Sequence, residues 1–154
     1  MIILETNNLI VRNLTSEDAN DLTSLVNCFN NDELLAVIDK AKDDDFDSEG
    51  KKMFAIEKMN VLIGLLEVNF DKPYIYFSYN FTSKEDKRVN AQELLTTLIK
   101  YFHNLYKHRE IITYIDKFDF QKRSLLENLS FRRKSFDKET NIYTYSLFSF
   151  NPNK

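Results

Sequence analysis

The chain has 154 residues, 43% of them hydrophobic and 29% charged, which is enough apolar material for one core and too little length for a second domain of ordinary size. Its formal net charge of −3 argues against a nucleic-acid binder held by basic excess, and a single cysteine, Cys28, excludes an internal disulfide. Glycine is scarce: Gly50 and Gly64 stand where average usage of about 7% would give about 11, so neither a Walker A loop nor a GxGxxG dinucleotide fingerprint is present.

Leu9–Leu14 alternates apolar and polar residues and predicts a strand. Thr15 or Ser16 then caps a helix with Glu17 and Asp18 in its first turn, where the helix dipole favours acids. Ala19, Leu22, Leu25, Val26 and Phe29 form its apolar stripe, and Cys28 is read as packing there. A second helix is expected from Asp32 to Ala41, followed by the acidic run KDDDFDSEG (Lys42–Gly50), read as a solvated loop. Met53–Lys58 and Val61–Phe70 read as strands joined by a tight turn at Met59–Asn60, and Pro73 opens another at Tyr74–Phe81.

Thr82–Arg88 is a polar loop. Ala91, Leu94, Leu95, Leu98, Ile99, Phe102 and Leu105 then recur at helical spacing. Glu110–Phe118 predicts a strand and Gln121–Leu129 a short helix. Phe131–Phe136 and Ile142–Phe150 close the chain as a pair around Asp137–Asn141, and Asn151–Lys154 is a polar tail. The order β α α β β β α β α β β makes residues 1–150 one α+β domain with a mixed, mostly antiparallel sheet flanked by helices. The longest apolar run, Val61–Leu66, is far short of the roughly 20 residues of a membrane span, and the N-terminus lacks the order of a signal peptide, so a cytoplasmic domain is expected. His103 and His108, five apart, fall on different helix faces with no ligand cluster nearby, so no metal site is expected.

Three stretches carry a resemblance. ETNNLIVRNLTSEDANDL (Glu5–Leu22) is similar to an opening of the type TERLxLRxLTxEDAxxL. FAIEKMNVLIGLLEVN (Phe54–Asn69) is similar to the hairpin xAIxxxGxxIGxxxL, with Gly64 in the Ile-Gly position. YIDKFDFQKRSLLENLSFRR (Tyr114–Arg133) is similar to VxxxNxxSxxxLEKLGFxxE. Together with the element order they resemble the GNAT superfamily of N-acetyltransferases, especially its ribosomal-protein branch, over nearly the whole chain. The family's Q/R-x-x-G-x-G/A loop aligns with Glu85–Ala91, placing Lys87 and Val89 at its glycine positions. Asp119, Lys122 and Ser130 replace the Asn, Ser and Gly of the third stretch, and Leu126 stands near the position of a Tyr that many members use as an acid.

The resemblance implies a GNAT-like (acyl-CoA N-acyltransferase) fold and a bacterial source. It implies acetyl-CoA as acetyl donor and a primary amine, small-molecule or peptide, as acceptor, with neither nucleic acid nor membrane as partner. It places the pyrophosphate on the loop around Lys87, Arg88, Val89, Asn90 and Ala91, and the pantetheine arm along Asn80, Phe81 and Thr82, in a cleft between Tyr74–Phe81 and Glu110–Phe118. The residues alone also allow Asn90 and Glu93 to be an N-x-x-E helix cap that would occupy those amides. Glu67, which interrupts an apolar strand, is the candidate general base, with Glu57 second and Tyr79 as candidate acid. Each also reads as an ordinary sheet residue. Acidic residues of Lys42–Gly50 near an acceptor site would favour a cationic acceptor. A homodimer paired through Tyr143, Tyr145, Phe148 and Phe150 is a further expectation. The alternative function is a degenerate, inactive domain of this fold that serves as a binding module; a third is an unrelated α+β interaction protein.

Overall fold

The computed structural model describes residues 1–23, 30–82 and 87–148. Its strands are β1 (Ile2–Glu5), β2 (Ile10–Asn13), β3 (Gly50–Lys58), β4 (Val61–Asp71), β5 (Tyr74–Phe81), β6 (Glu110–Asp116), β7 (Arg132–Asp137) and β8 (Ile142–Phe148). They form one sheet in the order β1-β2-β3-β4-β5-β6-β8-β7. Every neighbouring pair is antiparallel except β5–β6. The helices are α1 (Ala19–Leu22), α2 (Asn31–Ala41), α3 (Lys87–Leu105) and α4 (Phe120–Asn128). The stripe residues Leu25, Val26, Cys28 and Phe29 lie outside the described residues, as do Phe150 and the polar tail.

Two apolar layers sandwich the sheet. On the inner face, Leu94, Leu95, Leu98 and Phe102 of α3 and Leu125 and Leu126 of α4 pack on Phe54, Leu66, Phe70, Ile75 and Phe77. On the outer face, Leu22 of α1 and Leu34 and Ile38 of α2 cover Ala55, Leu62 and Leu65. The β3–β4 turn is as expected: Met59 and Asn60 have φ of 53° and 65°, the paired positive values a two-residue hairpin with right-handed strand twist requires.

Arg12 ties the first segments together. Its guanidinium donates to both oxygens of Asp18 at 2.9 Å and its Nε donates to Glu57 at 2.9 Å. Asp18 in turn accepts from the Thr15 amide, closing a capping box at the 3₁₀ turn Ser16–Asp18 that leads into α1. Burial works against the Asp18 carboxylate, but the bonds from Arg12 and Thr15 outweigh it and hold the carboxyl below its ordinary pKa.

One strand is unexpected, and three expectations need correction. Strand β1 carries no signal in the sequence, since IILE is four residues long and does not alternate; it is held by β2 and by the Asn13 amide donating to the Met1 carbonyl. The acidic run is not a free loop: Phe46 at its centre is 3% exposed and packs its ring 5.1–5.6 Å from those of Phe54, Phe70, Tyr101 and Phe102. Asn90 and Glu93 do not cap α3, which is already helical at Lys87. Asn90 is buried inside the helix and accepts from Lys58 at 3.2 Å, while Glu93 accepts from Thr6 and Asn8 and so fastens α3 to the β1–β2 turn. Finally, β8 lies inside the sheet between β6 and β7, with Tyr145 fully buried, so its edges are not free for a dimer partner. The C-terminal edge is β7, exposed along its whole length.

Candidate functional site

The sheet opens at one seam. The parallel pairing of β5 and β6 starts at Tyr74–Glu110 and ends at Tyr76–Ile112, although β5 runs on to Phe81 and β6 to Asp116. The last link is a side chain, Thr113 Oγ1 donating to the Phe77 carbonyl at 2.8 Å. Beyond it the strands part, while the other edge of β5 stays paired to β4 as far as Phe81. Successive residues of a strand direct their peptide groups to opposite edges. Phe77 faces the gap through its carbonyl, so Tyr79 and Phe81 face it too.

On the inner face the gap leads into a cleft of about 280 Å³. Tyr79, Asn80 and Phe81 of β5 form one wall, Lys87, Arg88 and Ala91 of α3 another, and Asp119, Gln121, Lys122 and Leu125 of α4 the third. Three cations and one carboxylate therefore line it. The described part of α3 begins at Lys87, so Lys87, Arg88 and Ala91 stand at the end of the helix that meets the cleft.

Lys122, which stands where the resembled motif has a Ser, enters the cleft as a residue to which the sequence assigns no role. Asp119 caps α4 by accepting from the Lys122 amide at 3.1 Å, which sets Lys122 on the first turn. Its ammonium donates to the Tyr79 carbonyl at 3.2 Å and lies 4.9 Å from the centre of the Tyr79 ring. Burial lowers its pKa; Asp119 partly opposes this and Lys87 adds to it. The available signal was its place three residues after the helix cap, where the resembled motif has a small hydroxyl. Tyr79 itself is buried, and its hydroxyl has no hydrogen-bond partner among the described residues. Burial, with Asp119 nearby, raises its pKa strongly, so it keeps its proton.

On the outer face the same stretch of β5 borders a groove of about 480 Å³ lined by Glu67, Tyr76, Ser78 and Tyr114 together with residues of α2 and β3. Glu67 is exposed and accepts from Ser78 Oγ at 3.2 Å across the β4–β5 pair. Glu57 is bound by Arg12 and does not line the groove, which leaves Glu67 as the candidate base. Of the acidic run only Asp44 reaches the groove, and its carboxylate accepts from the Met53 amide at 2.9 Å. The expected acidic wall is therefore not formed.

The structure thus gathers Tyr79, Asn80, Phe81, Lys87, Arg88 and Ala91 in one cleft and sets Glu67 across the strand from it. Three expected cofactor contacts lie elsewhere. Thr82 donates its amide and hydroxyl to the Ile63 carbonyl on the β4 side. Val89 lines a separate hollow near Glu5, and Asn90 is engaged by Lys58. Glu85 and Asp86 fall outside the described residues. Among the described residues no three His, Cys, Asp or Glu side chains gather as metal ligands, and no helix is long and apolar enough to cross a membrane.

No protein-family model matches the sequence, and no curated protein matches it. Solved structures do match. An acetyltransferase of the GNAT family from Bacillus anthracis superposes with a TM-score of 0.78 at 17% identity, covering 97% of this chain and 99% of that one. RimL, a ribosomal alpha-N-protein acetyltransferase in complex with coenzyme A, gives 0.78 at 13% identity over 96% and 98%. An acetyltransferase from Agrobacterium tumefaciens gives 0.70 at 13% over 96% and 94%. The eight-stranded mixed sheet, its single parallel seam and these superpositions establish that the chain has the fold of the GNAT acetyltransferases.

Proposed function

We propose that the chain is an N-acetyltransferase that moves an acetyl group from acetyl-CoA to a primary amine by direct attack. The observation that carries this reading is the opening of the sheet at Phe77, with a basic cleft on one face and a carboxylate-bearing groove on the other. An amide-bearing arm entering the gap would meet the β5 edge at Tyr79 and Phe81, which no strand pairs, as an added strand does, with the Lys122 ammonium moving off the Tyr79 carbonyl. The end of α3 that meets the cleft, with Lys87 and Arg88, would take the pyrophosphate, side-chain charge standing where the resembled loop has glycines.

The amine would enter from the outer face beside Glu67. Its nitrogen bonds to the thioester carbonyl carbon, the carbon–sulfur bond breaks, and the sulfur leaves with the electron pair. Glu67 takes the amine proton. Tyr79 is a poor source for the proton the sulfur requires, because a phenol with a raised pKa holds its proton against a thiolate. Lys122, whose pKa is lowered, releases one more readily, so we assign it that step and leave Tyr79 as a hydrogen-bond donor. The second reading, an inactive binding module, draws on the same Lys122, since its ammonium occupies the Tyr79 carbonyl.

Calorimetric titration with acetyl-CoA, alongside thermal unfolding, separates the two. Ligand at 100 times its dissociation constant adds about 2.7 kcal/mol, which for a chain of 154 residues raises Tm by about 8 °C. Binding followed by acetylation of an amine panel, with Glu67→Gln and Lys122→Met slowed at least tenfold, supports the transferase. Absence of heat and of any shift at millimolar acetyl-CoA overturns it.

A further inference from the structure

The charges of the outer groove are not balanced, and this bears on the acceptor. Five charged side chains line it: Lys40, Lys51, Lys52, Asp44 and Glu67. Three of them have partners. Lys52 donates to Ser48 and lies 4.0 Å from Asp45, Asp44 holds the Met53 amide, and Glu67 holds the Ser78 hydroxyl. Lys40, at the end of α2, and Lys51, on β3, have no salt bridge or hydrogen bond among the described residues.

Their placement relative to Glu67 follows from the register. Lys51, Asn69 and Tyr76 form one cross-strand row; Met53, Glu67 and Ser78 form the next on the same face. Rows two residues apart are separated by about 7 Å. A lysine stem spans that distance, so cation and carboxylate can address the two ends of one small zwitterion. The walls between them are apolar and aromatic: Val37, Met53, Tyr76 and Tyr114.

We propose that this groove accepts an amine that carries its own anionic group on an apolar or aromatic body, with Glu67 meeting the amine and Lys40 and Lys51 the anion. Polyamines and aminoglycosides fit poorly, because the two unpaired lysines repel additional positive charge. The role of the bound amine as acetyl acceptor rests on the proposed transferase; the ligand class rests on the groove alone.

The test titrates the full chain, without cofactor, with three probes: free phenylalanine, phenethylamine, which lacks only the carboxylate, and spermidine. Phenylalanine is expected to bind at least tenfold tighter than phenethylamine, with spermidine weakest. The double variant Lys40→Gln/Lys51→Gln should erase the advantage while keeping the unfolding midpoint, and Lys51→Glu should invert it. Equal or tighter binding of phenethylamine or spermidine, an advantage that survives the double variant, or no binding of any probe overturns the proposal. Acetyl-CoA titrated into the same samples reports on the transferase separately, so that either idea can fail while the other stands.

Discussion

Gly64 is the position where one methyl group should reach both the fold and the cleft. A Cβ built there lies 2.6 Å from the Asn80 carbonyl oxygen, 2.8 Å from Phe81 Cδ1 and 3.2 Å from Ile56 Cδ1. The nearest of these is backbone, so it cannot swing aside as a flexible side chain would. To restore ordinary contact at 3.4 Å, the Asn80 peptide must retreat by about 0.8 Å. Overpacking of this kind costs about 1–3 kcal/mol. At roughly 0.32 kcal/mol per kelvin for 154 residues, Gly64→Ala should lower Tm by about 3–9 °C. Because Gly64 is paired with Phe81 in the β4–β5 ladder, the retreat moves the β5 edge that borders the cleft. On the proposed function, the variant should therefore also bind acetyl-CoA at least tenfold more weakly at a temperature where it is fully folded. Thermal unfolding by circular dichroism and calorimetry read the two effects. A Tm within about 1 °C of the parent together with unchanged affinity would refute the packing argument.

Other variants probe separate parts of the molecule. Ser130 adopts φ of 74° at the end of α4, where its amide and that of Phe131 donate to the carbonyls of Glu127 and Leu126. Ser130→Gly should relieve about 1 kcal/mol of left-handed strain and raise Tm by about 3 °C, checked in the same melts. Asp18→Asn breaks the partly buried pair with Arg12 and should cost about 2–4 kcal/mol by urea unfolding. Since the folded Asp18 pKa is depressed, that contribution is present above the unfolded value of about 3.9 and is lost as pH falls through the folded one; the parent and Asp18→Asn stabilities should converge there. His103 shows the reverse case: burial lowers its folded pKa, so the unfolded chain binds the proton more readily and stability declines as pH drops below about 6.5. His103→Gln should flatten the Tm profile between pH 7 and 5.5. Tyr79→Phe removes a buried hydroxyl that has no partner among the described residues, so the fold should hold or gain slightly while, on the proposed function, acetyl transfer slows.

Local periodicity carried much of this architecture. The Leu94–Phe102 stripe, the Met59–Asn60 turn and the run of strand formers at Tyr74–Phe81 each declare themselves within a few residues, and the structure keeps all three. What stayed hidden depends on distant partners. Asn90 and Glu93 have the spacing of a helix cap, yet Lys58 and the β1–β2 turn claim them, and neither is adjacent in sequence. Phe46 sits among five acids, and only the fold brings Phe54, Phe70 and Phe102 around it. The cleft shows the same divide. Its β5 wall was legible because a strand edge needs no particular side chain, whereas the lysine that crosses to the Tyr79 carbonyl is set by how α4 docks.

The exposed strand β7 bears on how copies of the chain behave when crowded. An open sheet edge is a template for a neighbour's strand, and flat apolar edges recruit one another into aggregates. Here the edge begins Arg132, Arg133, Lys134, with Lys134 also paired to Glu110 at 3.0 Å. Two copies meeting antiparallel about Arg133 would set each Arg132 against a Lys134, so like charges oppose along the contact. This repulsion is electrostatic and belongs to the solution as much as to the sequence: it weakens as salt shortens the screening length to about 3 Å at 1 M. A strand rich in carboxylates would meet the same edge with attraction, so the terminus of the sheet discriminates among visitors by charge before any side chain is fitted.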